Sequence, residues 1–177
     1  MTLKHSKKLN FQYQAGFTLI EVILYVALLS IILSGAIAVA WDMIYSRVKV
    51  RTQQELNYQV RFAMTRINYE IRNASAINSV AATSISLAQA DAARNPTIID
   101  LSAGRLRIGW GSSGSCPTSS PCFLTSDSAV ISGLTFSNFS GSGSKQIQTE
   151  FTATTNGAKP EYQSTQTIKT SSEVQTD

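Results

Sequence analysis

A run of 25 residues, from Phe17 to Trp41, constrains this chain more than any other feature. It reads FTLIEVILYVALLSIILSGAIAVAW and contains one charged residue, Glu21. A helix of that length spans about 37 Å, which is enough to cross a bilayer core of roughly 30 Å. The run therefore predicts a membrane-spanning helix close to the N-terminus.

Charges on either side of this run predict its orientation. Lys4, His5, Lys7 and Lys8 precede the run, and no acidic residue accompanies them. Because positive charge is retained on the cytoplasmic side of a membrane, we expect the N-terminus to stay inside. Everything after Trp41 is then exported.

Histidine usage argues against several kinds of active site. His5 is the only histidine, and it lies in the basic segment before the apolar run. If that segment is removed, no imidazole is left for a Ser-His or Cys-His nucleophile or for a zinc site. Two cysteines cannot supply a four-thiolate site, and the acidic residues of the C-terminal half are scattered singly. We therefore expect no enzymatic activity, no metal and no cofactor.

The net charge of +4 argues against a nucleic-acid partner. Three of the 15 Lys and Arg residues lie in the first sixteen residues, and the rest of the chain carries a net charge of only +1. Binding of nucleic acid through bulk charge requires a much more basic protein. The basic residues between Asp42 and Arg72 are interspersed with Glu55 and Glu70, so we predict that they form a solvated helix surface.

Glu21 does not fit an ordinary membrane anchor. A carboxylate inside the bilayer costs about 2.5–3.5 kcal/mol on insertion scales, which makes it a candidate functional residue. It lies five residues after Gly16, in the sequence GFTLIE. A short basic leader that ends in glycine, this hexapeptide and the apolar helix after it resemble the prepilin signature. That signature is typical of type IV pilins and of the pseudopilins of type II secretion and DNA-uptake systems.

The resemblance implies a route of maturation and assembly. A prepilin peptidase at the cytoplasmic face would cleave between Gly16 and Phe17, and the new amino group of Phe17 would be methylated. Glu21 would then pair with that amine in a neighbouring subunit, since an ammonium group makes a buried carboxylate tolerable. The implied partners are the peptidase, other pilin or pseudopilin subunits, the assembly platform and the inner membrane. The head would lie in a periplasmic or cell-surface filament.

Two simpler interpretations explain less of this segment. An uncleaved single-pass anchor accounts for the apolar run but not for Glu21 or the hexapeptide. If the segment were a conventional signal peptide, residues 36–38 and 38–40 would offer A-x-A cleavage sites. However, such peptides have apolar cores of about 7–15 residues, and the stretch from Phe17 to Gly35 is longer.

The helix is predicted to continue past the membrane and to end between Ala74 and Asn78. No proline occurs before Pro96. One apolar stripe repeats at helical spacing through Leu56, Val60, Ala63, Met64, Ile67 and Ile71. Three aromatic residues lie away from it, and they would either pack under a loop of the head or contact another subunit: Tyr58, Phe62 and Tyr69.

The remainder of the chain predicts six or seven strands in one antiparallel sheet against the helix. Hairpin turns are expected at residues 101–104 and at Asn156-Gly157, and Gly133 separates two strand-like runs. The expected fold is α+β and pilin-like, with a long N-terminal helix packed on a β-sheet head. Its segments are a leader at 1–16, a membrane and assembly helix at 17–41, an amphipathic helix at 42–78 and a β-rich head at 79–177.

Cys116 and Cys122 flank a short Ser- and Pro-rich loop in the exported region. Oxidising conditions outside the cytoplasm permit a disulfide there. A redox-active pair is usually closer in sequence and lies at the start of a helix. We therefore predict that this disulfide closes a surface loop.

The segment RFAMTRINYEIR, residues 61–72, resembles the post-membrane region of J-type minor pseudopilins and related minor pilins. The expected function is a structural minor pilin or pseudopilin subunit. An alternative is an adhesin or DNA-uptake receptor on the same anchor, with residues 111–122 or 137–144 in contact with the ligand. An anchored extracytoplasmic enzyme is a third possibility, which the missing histidines argue against. Filaments of this kind serve secretion, motility, DNA uptake or adhesion, and the sequence does not choose among them.

Overall fold

A computed structural model describes residues 16–118, 121–141 and 144–175 of the chain. The chain divides into two compact units, Met1–Met43 and Ile44–Asp177. The described residues form an α+β fold that begins with one long helix and continues with antiparallel strands, which confirms the expected fold class. The elements are α1 (Leu19–Arg72), β1 (Ala76–Ala81), β2 (Ser84–Ala88), β3 (Thr97–Ser102), β4 (Arg105–Trp110), β5 (Ala129–Asn138), β6 (Gln146–Thr155) and β7 (Thr165–Glu173).

The part of α1 in the first unit is apolar and uncovered. An 18-residue stretch of it is strongly apolar and is exposed among the residues that the structure describes. By length and composition this helix is able to cross a membrane. In the second unit the predicted stripe from Leu56 to Ile71 is buried, so the helical period read from the sequence is correct there.

The core of the second unit lies between that stripe and the inward-facing residues of the strands. The fully buried strand residues include Ile85, Leu87, Ile99, Leu106, Ile108, Ile147 and Phe151. Alternate residues of a strand point to opposite faces, so β6 buries every second side chain from Ile147 to Ala153. Burial of these side chains provides most of the favourable free energy that holds the strands on the helix.

The strands form two sheets, and the prediction of a single sheet is wrong. One sheet has the order β1-β2-β3-β4 and the other has the order β5-β6-β7. The outer edge of β4 is already occupied, because the amide of Ile108 donates to the carbonyl of Cys122 at 2.8 Å and the amide of Leu124 donates to that of Leu106 at 2.8 Å. β5 therefore cannot pair with β4 and begins a separate sheet.

The helix ends at Arg72, which corrects the predicted end between Ala74 and Asn78 and the predicted helical segment 42–78. The Asn73 side chain donates to the carbonyl of Tyr69 at 2.8 Å, in competition with further helical turns. Two residues later, the amide of Ser75 donates to the carbonyl of Ala88 at 2.9 Å and starts the pairing of β1 with β2. β1 was not predicted, because its sequence has little apolar alternation.

The structure confirms the predicted hairpin turn at residues 101–104 and differs at the two other predicted positions. The β3–β4 hairpin closes on Ala103 and Gly104, both of which have positive φ, as a two-residue turn requires. Gly133 does not separate two strands; it forms a bulge within β5 at a φ of 60°. β6 and β7 form the predicted antiparallel pair, but the connection after Asn156-Gly157 is longer than predicted: it contains the 3₁₀ turn Pro160–Tyr162, and β7 begins at Thr165 instead of Tyr162.

Candidate functional site

The predicted cleavage site lies immediately before α1. Gly16 and Phe17 precede the helix, and 81% of the Phe17 side-chain surface is exposed. Thr18 caps the helix, because its hydroxyl oxygen accepts a hydrogen bond from the amide of Glu21 at 3.4 Å. The three predicted residues Gly16, Phe17 and Glu21 thus lie within six consecutive residues at the start of α1.

Glu21 is the third residue of α1, and this position adds a role that the sequence reading missed. Thr18 and Glu21 have the T-x-x-E spacing of a capping box, in which both side chains serve the exposed amides of the first helical turn. A carboxylate at this end also interacts favourably with the helix dipole. The spacing T-x-x-E before an apolar run would have revealed this role in the sequence.

The Glu21 carboxylate itself is available to an external group. The residue is exposed, and among the residues that the structure describes no side chain donates to its carboxylate. The neighbouring side chains of the helix are apolar and uncovered as well. Leu19, Ile20 and Ile23 are 78%, 68% and 59% exposed. This turn therefore presents one negative charge on an apolar surface.

The three aromatic residues of α1 that lie off the buried stripe are not packed under a loop of the head. Tyr58, Phe62 and Tyr69 are 67%, 44% and 49% exposed. Of the two predicted alternatives, packing under a loop is wrong, and contact with another subunit stays a prediction. The guanidinium of Arg66 lies 5.5 Å from the centroid of the Tyr69 ring and contacts one side of it.

Glu70 is fully buried, although the sequence reading placed it on a solvated surface. Its carboxylate forms ion pairs with Arg66 at 2.8 Å and with Arg94 at 2.5 Å. The Gln89 amide donates to the same carboxylate at 3.2 Å, and the Arg94 guanidinium lies 5.2 Å from the Trp110 ring. This charged cluster joins the last turns of α1 to the segment before β3. The i,i+4 spacing of Arg66 and Glu70 is visible in the sequence, but nothing in the sequence indicates that Arg94 completes the cluster, because it lies 24 residues after Glu70.

The predicted disulfide joins Cys116 to Cys122, with 4.9 Å between their Cα atoms. Next to it, Trp110 and Ser115 exchange two backbone hydrogen bonds, at 2.8 and 3.0 Å. The residues after Cys122 continue along the edge of β4. The bond therefore closes the loop between β4 and its edge segment, as a structural staple should.

A groove of about 580 Å³ runs between α1 and the connection from β6 to β7. Arg51 and Glu55 on the helix and Tyr162 on the opposite wall are its titratable residues. Within the described ranges, no group of three or more His, Cys, Asp and Glu residues is positioned to hold a metal ion. The groove brings together none of the residues that the sequence singled out for processing.

Comparison with known proteins gives one result. Residues 11–37 match the family model described as the prokaryotic N-terminal methylation motif. No curated protein and no solved structure matches the chain. The match includes Gly16, Phe17 and Glu21, but it ends well before residues 61–72, so the J-type assignment stays a prediction. The methylation motif and the long apolar helix followed by antiparallel sheets together support the type IV pilin and pseudopilin family for this chain.

Proposed function

We propose that this chain is a structural minor pilin or pseudopilin subunit without catalytic activity of its own. Prepilin peptidase matures it, and the N-terminal helix carries it into a type IV pilus-like or type II secretion filament. The observation that carries this proposal is the methylation motif at residues 11–37, which includes the exposed apolar beginning of α1.

Processing is proposed between Gly16 and Phe17. An added Cβ at Gly16 would meet no atom of the described residues within 4 Å, so their packing does not explain the glycine. A requirement of the peptidase for a small residue before the scissile bond does explain it. Cleavage creates an ammonium group on Phe17, and a methyl group on that nitrogen leaves its positive charge in place.

Assembly is proposed to use the Glu21 carboxylate. An unpaired carboxylate among apolar helices carries a large desolvation cost, whereas an ammonium group beside it compensates much of that cost. The Phe17 ammonium of a neighbouring subunit is the partner that every processed subunit supplies. The precursor would stand in the inner membrane with its N-terminus in the cytoplasm, and the second unit would lie outside.

Three variants of Glu21 separate its local role from its intermolecular role. Glu21→Gln keeps a side chain that fits the capping box but removes the charge, Glu21→Ala removes both, and Glu21→Asp keeps the charge on a shorter side chain. If the charge docks the subunit, the Glu21→Gln and Glu21→Ala variants should both insert into the membrane and fail to enter filaments. Incorporation of Glu21→Asp should be intermediate. Incorporation is measured by crosslinking to partner subunits and by the fraction of the protein in sheared filaments.

If Glu21→Gln enters filaments as the wild type does and Glu21→Ala does not, the residue acts only on its own helix.

The processing step is tested separately on intact protein. The mature chain should begin at Phe17 and carry one additional methyl group, and Gly16→Leu should accumulate as uncut precursor. A normal mature N-terminus in Gly16→Leu would contradict the proposed function.

A further inference from the structure

The face of α1 that points away from the strands combines arginines with aromatic residues. We call it the outward stripe, and all of its members are exposed: Arg47, Arg51, Tyr58, Arg61, Phe62, Tyr69 and Arg72. They recur at intervals of three, four or seven residues, so they share one side of the helix. The opposite side holds the buried stripe from Leu56 to Ile71.

The outward stripe carries positive charge that nothing on the stripe compensates. Residues 47–72 contain two acidic residues, Glu55 and Glu70. Glu70 is fully buried and pairs with Arg66 and Arg94. Glu55 lies on the flank of the stripe, in the groove, where its carboxylate accepts a hydrogen bond from Gln59 at 3.0 Å. Arg51 lines the same groove, and Arg72 lines a second hollow together with Glu173. Four arginines on the stripe therefore face two flanking carboxylates, and the stripe keeps a positive excess.

This imbalance determines which helix is able to pack against the stripe. Large exposed aromatic residues favour a protein contact, because they bury much area with little loss of side-chain entropy. Two copies of the stripe facing each other would place arginines against arginines, and juxtaposed like charges are strongly disfavoured at an interface. A second copy of this chain is thus a poor partner for the stripe, and a helix with exposed Asp or Glu residues is a good one.

We infer that the outward stripe docks a different pilin-like subunit whose facing helix is acidic, and that it disfavours the same stripe of a second copy of this chain. This inference rests on the proposed function and adds the chemistry of the partner to it. The arginines select the partner by charge, and Tyr58, Phe62 and Tyr69 supply the apolar contact. Such selection makes the chain a component placed beside other subunits and prevents it from forming a filament of its own through this face.

The test uses the full chain in the inner membrane, with a charge-reversed copy of the same chain as the acidic probe. Thr65, an exposed residue between Arg61 and Tyr69, is changed to Cys in both copies to report contact by disulfide crosslinking. The probe also carries Arg47→Glu, Arg51→Glu and Arg61→Glu. Crosslinks between wild-type and reversed stripes should exceed those between two wild-type stripes by about fivefold, a gain that three modest exposed ion pairs supply.

Matched controls distinguish stripe charge from total charge. Arg→Lys at the same three positions should behave as the wild type, and Lys145→Glu with Lys159→Glu in the head should not increase crosslinking. In cells that make the filament, the reversed stripe should lower incorporation while processing and membrane insertion stay normal. If the charge-reversed chain is not processed, the result counts against the proposed function. If it is processed normally and enters filaments as the wild type does, the result counts against docking through the stripe.

Two outcomes would overturn the inference. Equal crosslinking of wild-type pairs and mixed pairs would show that charge does not select the partner. The detergent-solubilised chain is also tested for binding of a 20-nucleotide dT oligomer. If charge reversal abolishes that binding and leaves subunit crosslinking unchanged, the stripe is a surface for polyanions.

Discussion

Substitution of the buried carboxylate Glu70 should destabilise the second unit more than substitution of any exposed acid. Its side chain is inaccessible to solvent, and it holds the guanidinium groups of Arg66 and Arg94, whose side chains are 28% and 23% exposed. Glu70→Ala leaves both of these positive charges without their carboxylate and removes an acceptor from Gln89. The cluster is also the polar link between the end of α1 and the segment that leads into β3.

The expected loss of unfolding free energy follows from how deeply Glu70 and its two arginine partners are buried. Removal of one member of a buried ion pair costs about 3–5 kcal/mol when the remaining charge stays buried. Because the two arginines are partly exposed and are able to turn toward water, we expect the lower end, about 3 kcal/mol for Glu70→Ala. Glu70→Gln keeps the volume and an acceptor oxygen, so its loss should be smaller, about 2 kcal/mol.

Urea unfolding of the mature chain in detergent measures these losses, with Trp110 fluorescence as the probe because that ring lies against Arg94. With a slope of about 2 kcal/mol per molar urea, the Glu70→Ala midpoint should fall by about 1.5 M. Glu150→Gln is the matched control, since Glu150 pairs with Lys169 at 3.0 Å on the surface and should change stability by less than about 1 kcal/mol. Equal midpoints for the Glu70 and Glu150 variants would refute the reasoning.

Three further substitutions test the packing of the head by the same unfolding measurement. Cys116→Ser with Cys122→Ser should cost about 2 kcal/mol at most, because the loop is short, and free thiols on the exported wild-type protein would contradict the bond. Gly109→Ala pushes a methyl group into the Gly114 backbone carbonyl and should cost about 1–3 kcal/mol, whereas Gly141→Ala, whose methyl group meets no described residue within 4 Å, should be neutral. Gly133→Ala forces an alanine into a φ of 60° and should cost about 1 kcal/mol, and an unchanged midpoint would mean that the β5 bulge relaxes without cost.

The N-terminal helix could be predicted from sequence because its signals are local. Apolar length, the basic leader and the hexapeptide at Gly16 each lie within a few dozen consecutive residues, and the helical period exposes the buried stripe from Leu56 to Ile71. Strands β3, β4 and β6 were recognisable for the same reason, since alternation with a period of two is a local pattern. β1 was missed because its neighbours in space, and not its own sequence, make it a strand.

Glu70 shows what the sequence could not reveal. At helical period it lies beside Ile67 and Ile71, yet a charged residue off an apolar stripe is ordinarily expected in water. Arg94, 24 positions later in the chain, brings a guanidinium to it, and only the chain path around β2 places that group there. The burial of Glu70 also removes its negative charge from the outer surface of α1, and this leaves the outward stripe positive.

The sequence by itself determined the position of the helix that is able to cross a membrane, the methylation motif and the class of fold, because each depends on composition or spacing within one segment. The tertiary structure decided that the strands divide into two sheets, since the segment at Cys122 pairs with β4 and blocks its edge. It also decided which charges of α1 meet solvent. Both outcomes depend on contacts between residues far apart in the chain. The free energy of such contacts cannot be inferred from any single segment of the sequence.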